Sequence, residues 1–468
     1  MSAARSSEQQ ARRVNKMTLL TVSNNTNITG ASSAVANALR DRLSFPNPAY
    51  VENEKRGFSN WNIPAKLCYL TQDEDGLTFP RAFTRHALAI IRKTGQQFEI
   101  QDDRRLLPPV EFVFTGELRD YQQDALKEIL TKDFGTVSIP TGGGKTVIAL
   151  AAIAERKQPA LIVVHTKELA DQWCRRIETF LGIPRGEIGL IGNGKCNLGE
   201  RITVSLVQSL YKCSSEVSKN IGFLIVDECH RAPARIFTEA VTGFDCRYML
   251  GLSATPFRRD GLGRLIYFYI GDRVYSIDRQ DLVESKDILP AEVITRQTTF
   301  HPTVNPSEQY STMLSELAED YRRNWLIVSD VAKEARNGAG VCLVLSDRKS
   351  HCETLQGLLQ GKGIKAALLT GDLKDRDRRK AVSDIENGNV KVIVATAQLI
   401  GEGFDARELS TLFLATPIKF SGRLIQCLGR VLRPAPGKDK ATVCDYVDPV
   451  GVLQGAARSR AWVYRQIA

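Results

Sequence analysis

Short apolar runs alternate with helical patterns through most of the chain after residue 116. The runs are continuous rather than alternating, as expected for strands that are buried on both faces of a parallel sheet covered by helices. The first set is GTVSI (135–139), ALIVV (160–164), RITVSLV (201–207), FLIVD (223–227) and YMLGLSA (248–254). The pattern restarts at VCLVL (341–345), KVIVAT (391–396) and TLFLAT (411–416). This repetition predicts two tandem α/β domains.

The chain before residue 116 has a different pattern. Residues 1–16 are polar and predict a flexible tail, whereas residues 17–110 mix short apolar runs with Asn, Gly and Pro turns. Helical apolar spacing recurs at 31–45 and 82–95, so we expect a small α+β domain here. The predicted domains are therefore 17–110, 111–295 and 296–468, and a long amphipathic stretch (308–336) opens the last one.

Composition narrows the class of protein. No segment approaches the roughly 18 apolar residues of a membrane span, and the polar start has no signal-peptide centre, so we expect a cytoplasmic protein with no membrane partner. The ten cysteines form no C-x-x-C pair, which favours reduced thiols over a zinc site or disulfides. The net charge of +10 suits a polyanionic partner, but a solvated basic surface explains it equally well.

The segment SIPTGGGKT (138–146) joins a predicted strand to a predicted helix. Glycines at this position let backbone N–H groups approach phosphate oxygens at the start of a helix, so Thr141 and Gly142–Gly144 are candidates for binding ATP. Lys145 would reach the β and γ phosphates, and Thr146 would bind Mg²⁺. Ile139 stands where the usual pattern has its first glycine. The alternative is a glycine-rich turn that binds nothing.

An acidic pair follows the strand FLIVD. Asp227 and Glu228 lie 82 and 83 residues after Lys145, and ligands bind at the carboxyl ends of the strands in such sheets. Asp227 would bind Mg²⁺, and Glu228 would polarise the attacking water. A solvated helix start is the alternative for an isolated DECH.

The segments PTGGGKT, DECH, SAT (253–255) and QCLGRVLR (426–433) resemble, in order and spacing, those of superfamily 2 helicases. GLSATPFRRDG (251–261) and LIGEGFDA (399–406) resemble the XPB-type and phage UvsW-type branch. The resemblance covers residues 117 to about 447. It implies two RecA-like domains, ATP hydrolysis with Mg²⁺, and a nucleic-acid strand that crosses both domains.

The resemblance also implies roles for individual residues. Arg119 and Gln122 would hold adenine, while Gly403 and Asp405 would lie at the nucleotide. His230, Ser253 and Thr255 would couple hydrolysis to domain motion. Gln426, Arg430 and Arg433 would complete the catalytic site, and Thr166 and Thr396 would contact DNA. Cys427 departs from the arginine often found at its position.

The sequence thus predicts an ATP-driven, monomeric DNA motor that acts on branched DNA: fork unwinding or reversal, or Holliday-junction branch migration. The domain at 17–110 would recognise the DNA structure, and Trp61 there fits either a base-stacking side chain or a core or interface aromatic. Three alternatives stay open: the motor subunit of a restriction-type translocase, an RNA helicase, and a nucleic-acid-binding scaffold with an inactive ATPase.

Overall fold

The computed structural model describes residues 17–464 apart from 141, 193, 211, 231–237, 239–240, 255–261, 339, 372–380, 382, 386, 397–408, 418–430, 433 and 435–437. The chain forms two compact units. The first comprises residues up to 276 except 139–144, and the second comprises 139–144 together with the residues from 277 onward.

The first unit begins with a five-stranded sheet of order β5-β6-β2-β1-β7, in which only β1 and β7 pair in parallel. A separate ribbon joins β3 and β4. The strands are β1 (Thr18–Val22), β2 (Asn25–Thr29), β3 (Ser44–Pro46), β4 (Lys66–Cys68), β5 (Thr71–Asp73), β6 (Gly76–Pro80) and β7 (Phe98–Asp102). The helices are α1 (Ser33–Arg42), α2 (Pro48–Arg56) and α3 (Thr84–Lys93). We call residues 17–103 the N-terminal sheet region.

An eight-stranded sheet follows, with the order β11-β10-β12-β9-β13-β14-β8-β15. All its neighbours are parallel except β10 and β11. The strands are β8 (Phe134–Ser138), β9 (Ala160–Val164), β10 (Gly189–Gly192), β11 (Lys195–Asn197), β12 (Ile202–Leu206), β13 (Phe223–Val226), β14 (Tyr248–Ser253) and β15 (Arg273–Ser276). The helices are α4 (Asp120–Leu130), α5 (Lys145–Arg156), α6 (Lys167–Leu181), α7 (Val207–Leu210), α8 (Ser214–Val217) and α9 (Arg264–Tyr269).

The second unit contains a six-stranded parallel sheet of order β16-β21-β20-β17-β19-β18. The strands are β16 (Ala291–Gln297), β17 (Val341–Ser346), β18 (Ala366–Leu369), β19 (Val392–Thr396), β20 (Leu409–Leu414) and β21 (Ala441–Val447). The helices are α10 (Arg279–Glu284), α11 (Tyr310–Glu319), α12 (Tyr321–Asn337), α13 (Lys349–Gly361) and α14 (Gly451–Tyr464). The predicted fold class, two parallel-sheet domains after a small α+β region, is confirmed.

The amphipathic stretch at 308–336 contains two helices rather than one. Asp320 separates α11 from α12, and its carboxylate accepts a hydrogen bond from the Arg323 N–H at 2.7 Å. An aspartate that caps the first turn of a helix satisfies an N–H group that has no partner inside the helix. The apolar periodicity continues across the break, so the sequence pattern does not reveal it.

The N-terminal sheet region shares its hydrophobic core with α9. Leu265 and Phe268 of α9 are buried in the cluster that also contains the core side chains of β1, β2, β6, α1 and α3. The Phe268 ring lies 5.4 Å from that of Phe83 and 6.1 Å from that of Tyr69. The region therefore obtains part of its core from a helix more than 160 residues downstream.

A buried arginine fixes the same contact. Arg81 is fully buried, and its guanidinium donates to the carbonyl oxygen of Cys246 at 2.9 Å and lies 5.0 Å from the Phe134 ring centroid. Phe134 begins β8, and Cys246 lies two residues before β14. The N-terminal sheet region is thus attached at the edge where the parallel strands of the first unit begin.

We predict that Phe268→Ala lowers the free energy of unfolding by about 3–5 kcal/mol, because it removes a buried ring from the shared core. Urea denaturation of the full chain measures this loss. Phe58→Ala is the matched control, since Phe58 is exposed and the same truncation there leaves no cavity. Equal unfolding midpoints for the two variants would contradict the shared core.

Candidate functional site

The glycine-rich loop after β8 has the backbone that its sequence predicts. Gly142 and Gly144 adopt φ values of 94° and 80°, a region that side chains with a Cβ rarely enter. A Cβ added at Gly143 would lie 2.5 Å from Cγ2 of Ile139. Ile139 is itself fully buried, so the residue that departs from the usual glycine fills the space beneath the loop. Each of the three glycines is required by conformation or by close packing.

Lys145 and Thr146 are the first two residues of α5, directly after this loop. Both are partly buried. The Lys145 ammonium interacts electrostatically with Asp227 and lowers the pKa of that carboxyl. The structure therefore brings the predicted phosphate-binding lysine and the predicted metal-binding aspartate to the same edge of the sheet.

Asp227 follows the last residue of β13 and is held from two sides. Its Oδ2 accepts a hydrogen bond from the Trp173 indole N–H at 2.8 Å, and its Oδ1 accepts one from the Glu228 N–H at 2.9 Å. Burial and the adjacent Glu228 raise the pKa of Asp227 to about 6, against the opposing effects of Trp173 and Lys145. The carboxylate is oriented before any ligand binds.

Glu228 has a left-handed backbone with φ of 48°. Such a conformation costs a residue with a Cβ on the order of 1 kcal/mol and is found most often where function requires it. The Glu228 carboxylate lies 3.3 Å from His230 Nδ1, and its carbonyl oxygen lies 3.3 Å from His165 Nε2.

His230 connects this turn to the next strand. Its Nδ1 lies 2.9 Å from Oγ of Ser253, the last residue of β14. The Cys229 N–H also donates to the Leu252 carbonyl at 3.0 Å. The predicted coupling residues His230 and Ser253 are therefore in contact, and through Glu228 they adjoin the acidic pair.

The donor set fits a magnesium ion bound together with phosphate oxygens. Over the parts of the chain that the structure describes, no three His, Cys, Asp or Glu side chains are grouped so that they could hold a metal ion alone. Mg²⁺ in nucleotide sites needs only one or two protein oxygen ligands besides phosphate and water. The Asp227 carboxylate and the Thr146 hydroxyl can supply them.

Four other predicted site residues lie within the described part of the chain. Gln122 is buried, and its Oε1 accepts a hydrogen bond from the Arg119 N–H at 3.0 Å. This hydrogen bond caps the start of α4, and Arg119 itself is exposed. Thr166 caps α6 by accepting from the Leu169 N–H at 3.3 Å. Thr396 is the last residue of β19 and is partly buried. Their assignments to adenine and DNA stay predictions.

The remaining predicted site residues lie outside the described residues: Thr141, Thr255, Gly403, Asp405, Gln426, Arg430 and Arg433.

Sequence reasoning missed the role of Trp173. It is buried in α6 and contacts Asp227, 54 residues away in the chain. Its indole falls on the apolar face of an amphipathic helix, where a core role is the default interpretation, and only the fold reveals the polar contact. His165, to which the sequence assigned no function, contacts the acidic turn as well.

None of the described helices combines the length and the apolar content of a membrane span.

Two known protein families match the chain. "Type III restriction enzyme, res subunit" matches residues 115–258, and "Helicase conserved C-terminal domain" matches residues 324–435. The two matches fall on the two parallel-sheet regions.

Similar proteins extend the match along the chain. The "DNA 3'-5' translocase XPB2" of Sulfurisphaera tokodaii is 28% identical over 391 residues, which cover 75% of this chain and 86% of that protein. The "ATP-dependent DNA helicase uvsW" of Enterobacteria phage T4 is 24% identical over 456 residues, 90% of this chain and 88% of that protein. In fold, the chain is similar to the Pyrococcus furiosus Hef helicase domain, with a TM-score of 0.51 and 15% sequence identity. The similarity covers 74% of this chain and 98% of the Hef helicase domain.

These matches confirm the predicted RecA-like architecture and the predicted ATP-hydrolysing helicase. The chain belongs to the superfamily 2 helicases, in the branch that includes the XPB-like and phage helicases.

Proposed function

We propose that this protein is a DNA motor that uses ATP and Mg²⁺ to remodel branched DNA, by fork reversal or unwinding and by Holliday-junction branch migration. The observation that carries the ATP-driven part of the proposal is the grouping of Lys145, Asp227, Glu228 and His230 at the strand ends of the first unit. Three similar proteins are named for DNA and one is named an RNA helicase, so the balance of names supports DNA as the substrate.

Each group at the site has a distinct task in phosphoryl transfer. Lys145 and the backbone N–H groups of the glycine-rich loop bind and orient the phosphates. Asp227 and Thr146 would hold Mg²⁺, which when bound neutralises charge on the phosphate oxygens. Glu228 positions the attacking water and accepts a hydrogen bond from it. His230 lies beside that carboxylate and also contacts Ser253, so it would pass a change at Glu228 to the end of β14.

The N-terminal sheet region supplies the preference for branched DNA in this proposal. The turn after α2 projects two exposed aromatics, Phe58 at 61% and Trp61 at 85% exposure, so Trp61 is not a core residue. Hydrogen bonds shape the turn: Asn60 donates to the Tyr50 carbonyl at 3.2 Å, and the Ile63 N–H donates to the Asn60 carbonyl at 3.0 Å. Exposed aromatics on an ordered turn can stack on unpaired bases at a branch point.

The rigid attachment of this region gives the motor a fixed point. Because the N-terminal sheet region shares its core with α9, a DNA arm that it holds would keep a constant position relative to the eight-stranded sheet. Translocation by the motor would then draw the neighbouring arm past that point, which is branch migration.

A restriction-type translocase is the second candidate. The family that matches residues 115–258 takes its description from a restriction subunit. The two candidates differ in the substrate preference that each requires: the proposed function needs a preference for a junction over plain duplex, whereas a restriction-type motor needs none.

We predict that Lys145→Ala abolishes ATP binding, whereas Glu228→Gln binds ATP and DNA but lowers kcat by about 10²–10⁴-fold. The reason is that only the second change leaves the phosphate contacts intact. Steady-state hydrolysis and binding of a fluorescent nucleotide separate the two effects. Lys132→Ala and Glu155→Gln, at exposed positions of the same unit, are the matched controls and should behave as the wild type. Normal turnover by Glu228→Gln would remove its proposed role.

We predict that Trp61→Ala weakens binding to a Holliday junction or fork by about tenfold and leaves hydrolysis stimulated by single-stranded DNA unchanged, since one base stack is lost outside the ATPase. Affinities for junction, fork and blunt duplex measure this. Trp61→Phe keeps a ring and should retain much of the preference, and Leu106→Ala tests an exposed apolar residue elsewhere in the unit.

An unchanged ratio of junction to duplex affinity in folded Trp61→Ala would disprove this role. A point variant is preferable to deleting residues 1–110, because the deletion would expose Leu265 and Phe268 and destabilise the motor itself.

A further inference from the structure

The outer face of α12 carries an unusual set of side chains. The exposed residues of this helix are two aromatics, three cations and one amide: Tyr321, Arg322, Trp325, Lys333, Arg336 and Asn337. The helix buries its apolar side in the core of the second unit, so this selection is confined to the opposite side. We call Tyr321, Arg322, Trp325, Lys333, Arg336 and Lys362 the α12 face.

The aromatics of the α12 face are preorganised. The rings of Tyr321 and Trp325 stack with their centroids 6.0 Å apart and an interplanar angle of 20°, yet they stay 65% and 44% exposed. The Lys362 ammonium lies 3.8 Å from the Trp325 ring centroid. The stack therefore has a fixed geometry before any partner binds.

The acidic residues of α12 do not neutralise this face. Asp330 is engaged by Arg296 at 3.0 Å and by the Tyr446 hydroxyl at 3.1 Å. Glu334 accepts from the Thr411 hydroxyl at 2.9 Å. Both carboxylates contact partners in the six-stranded sheet. The charged side chains of the α12 face are therefore all positive.

The start of α12, which carries Tyr321 and Trp325, lies at the carboxyl edge of the six-stranded sheet. Arg323, between the two aromatics, donates to Asp448 at 2.8 Å just after β21, and its guanidinium also donates to the Ala415 carbonyl just after β20. Thr396 ends β19 at this same edge. Ligands of parallel α/β sheets bind at the carboxyl ends of the strands.

We propose that the α12 face binds single-stranded DNA, with a base stacked on the Tyr321–Trp325 pair and the phosphates beside Arg322, Lys333 and Lys362. An electropositive surface interrupted by exposed aromatics is the physical signature of proteins that bind single strands, because every base has a face that can stack. Bases inside a duplex already stack on each other and are unavailable to Tyr321. This inference adds a strand-binding surface to the proposed function, and it rests on that function for the choice of DNA as the ligand.

The test compares full-length variants on three substrates: oligo(dT), a blunt duplex and a duplex with a single-stranded tail. Tyr321→Ala with Trp325→Ala should weaken oligo(dT) binding at least about tenfold, with little change in blunt-duplex affinity or in hydrolysis without DNA. Tyr321→Phe keeps the stack and should bind as the wild type. Thermal unfolding confirms that each variant is folded.

The cations are tested by salt dependence. Arg322→Ala and Lys333→Ala should each reduce the slope of log affinity against log salt by about 0.7 for single-stranded DNA. Lys391→Ala is the matched control, since Lys391 is exposed where β19 begins, at the opposite edge of the same sheet, and it should leave the slope unchanged.

Two results would overturn the inference. One is wild-type oligo(dT) affinity in the folded double alanine variant, and the other is an equal loss for blunt duplex and oligo(dT), which would indicate a duplex-backbone contact. The proposed function is assayed separately: a protein that binds oligo(dT) through this face but does not migrate junctions would disprove branch migration and leave the single-strand site intact.

Discussion

The arrangement of the first unit depends on one buried cation. Arg81 carries its charge into the contact between two sheets, where backbone carbonyls and the Phe134 ring surround it in place of water. A buried charge is tolerated only where its surroundings compensate for lost hydration, so Arg81 stays buried only while the sheets are together. The aromatic cluster around Phe268 adds apolar area to the same contact. The N-terminal sheet region and the first motor sheet therefore behave as one body.

The attachment and the proposed ATP site lie at opposite edges of the eight-stranded sheet. The phosphate loop and the acidic turn follow the carboxyl ends of β8 and β13, whereas Arg81, Arg104 and Arg105 contact residues that precede the amino ends of β8 and β14. Ser253 ends β14 beside His230 at the carboxyl edge, whereas α9, the next described helix along the chain, packs in the shared core.

The sequence predicts the parallel sheets because their strands are fully buried and need no alternation. ALIVV becomes β9 with the bounds that its letters suggest. Strand β16 is not predictable in this way, because AEVITRQ is mostly exposed and has no continuous buried run. It pairs with β21, about 150 residues away. The phosphate loop and the acidic pair are predictable because their chemistry is local. The Trp173–Asp227 bond and the Phe268 contact are not, because they arise only when distant segments pack.

Glu228 shows how chemistry and folding compete at one position. Its left-handed backbone is a conformation that glycine adopts without penalty, so folding stability alone would favour glycine there. The carboxylate can be placed beside His230 only by accepting the strained backbone, since the turn that directs it also directs Asp227. The protein therefore gives up stability at the residue proposed to orient the water. Selection for thermostability without selection for turnover should therefore favour glycine in place of Glu228.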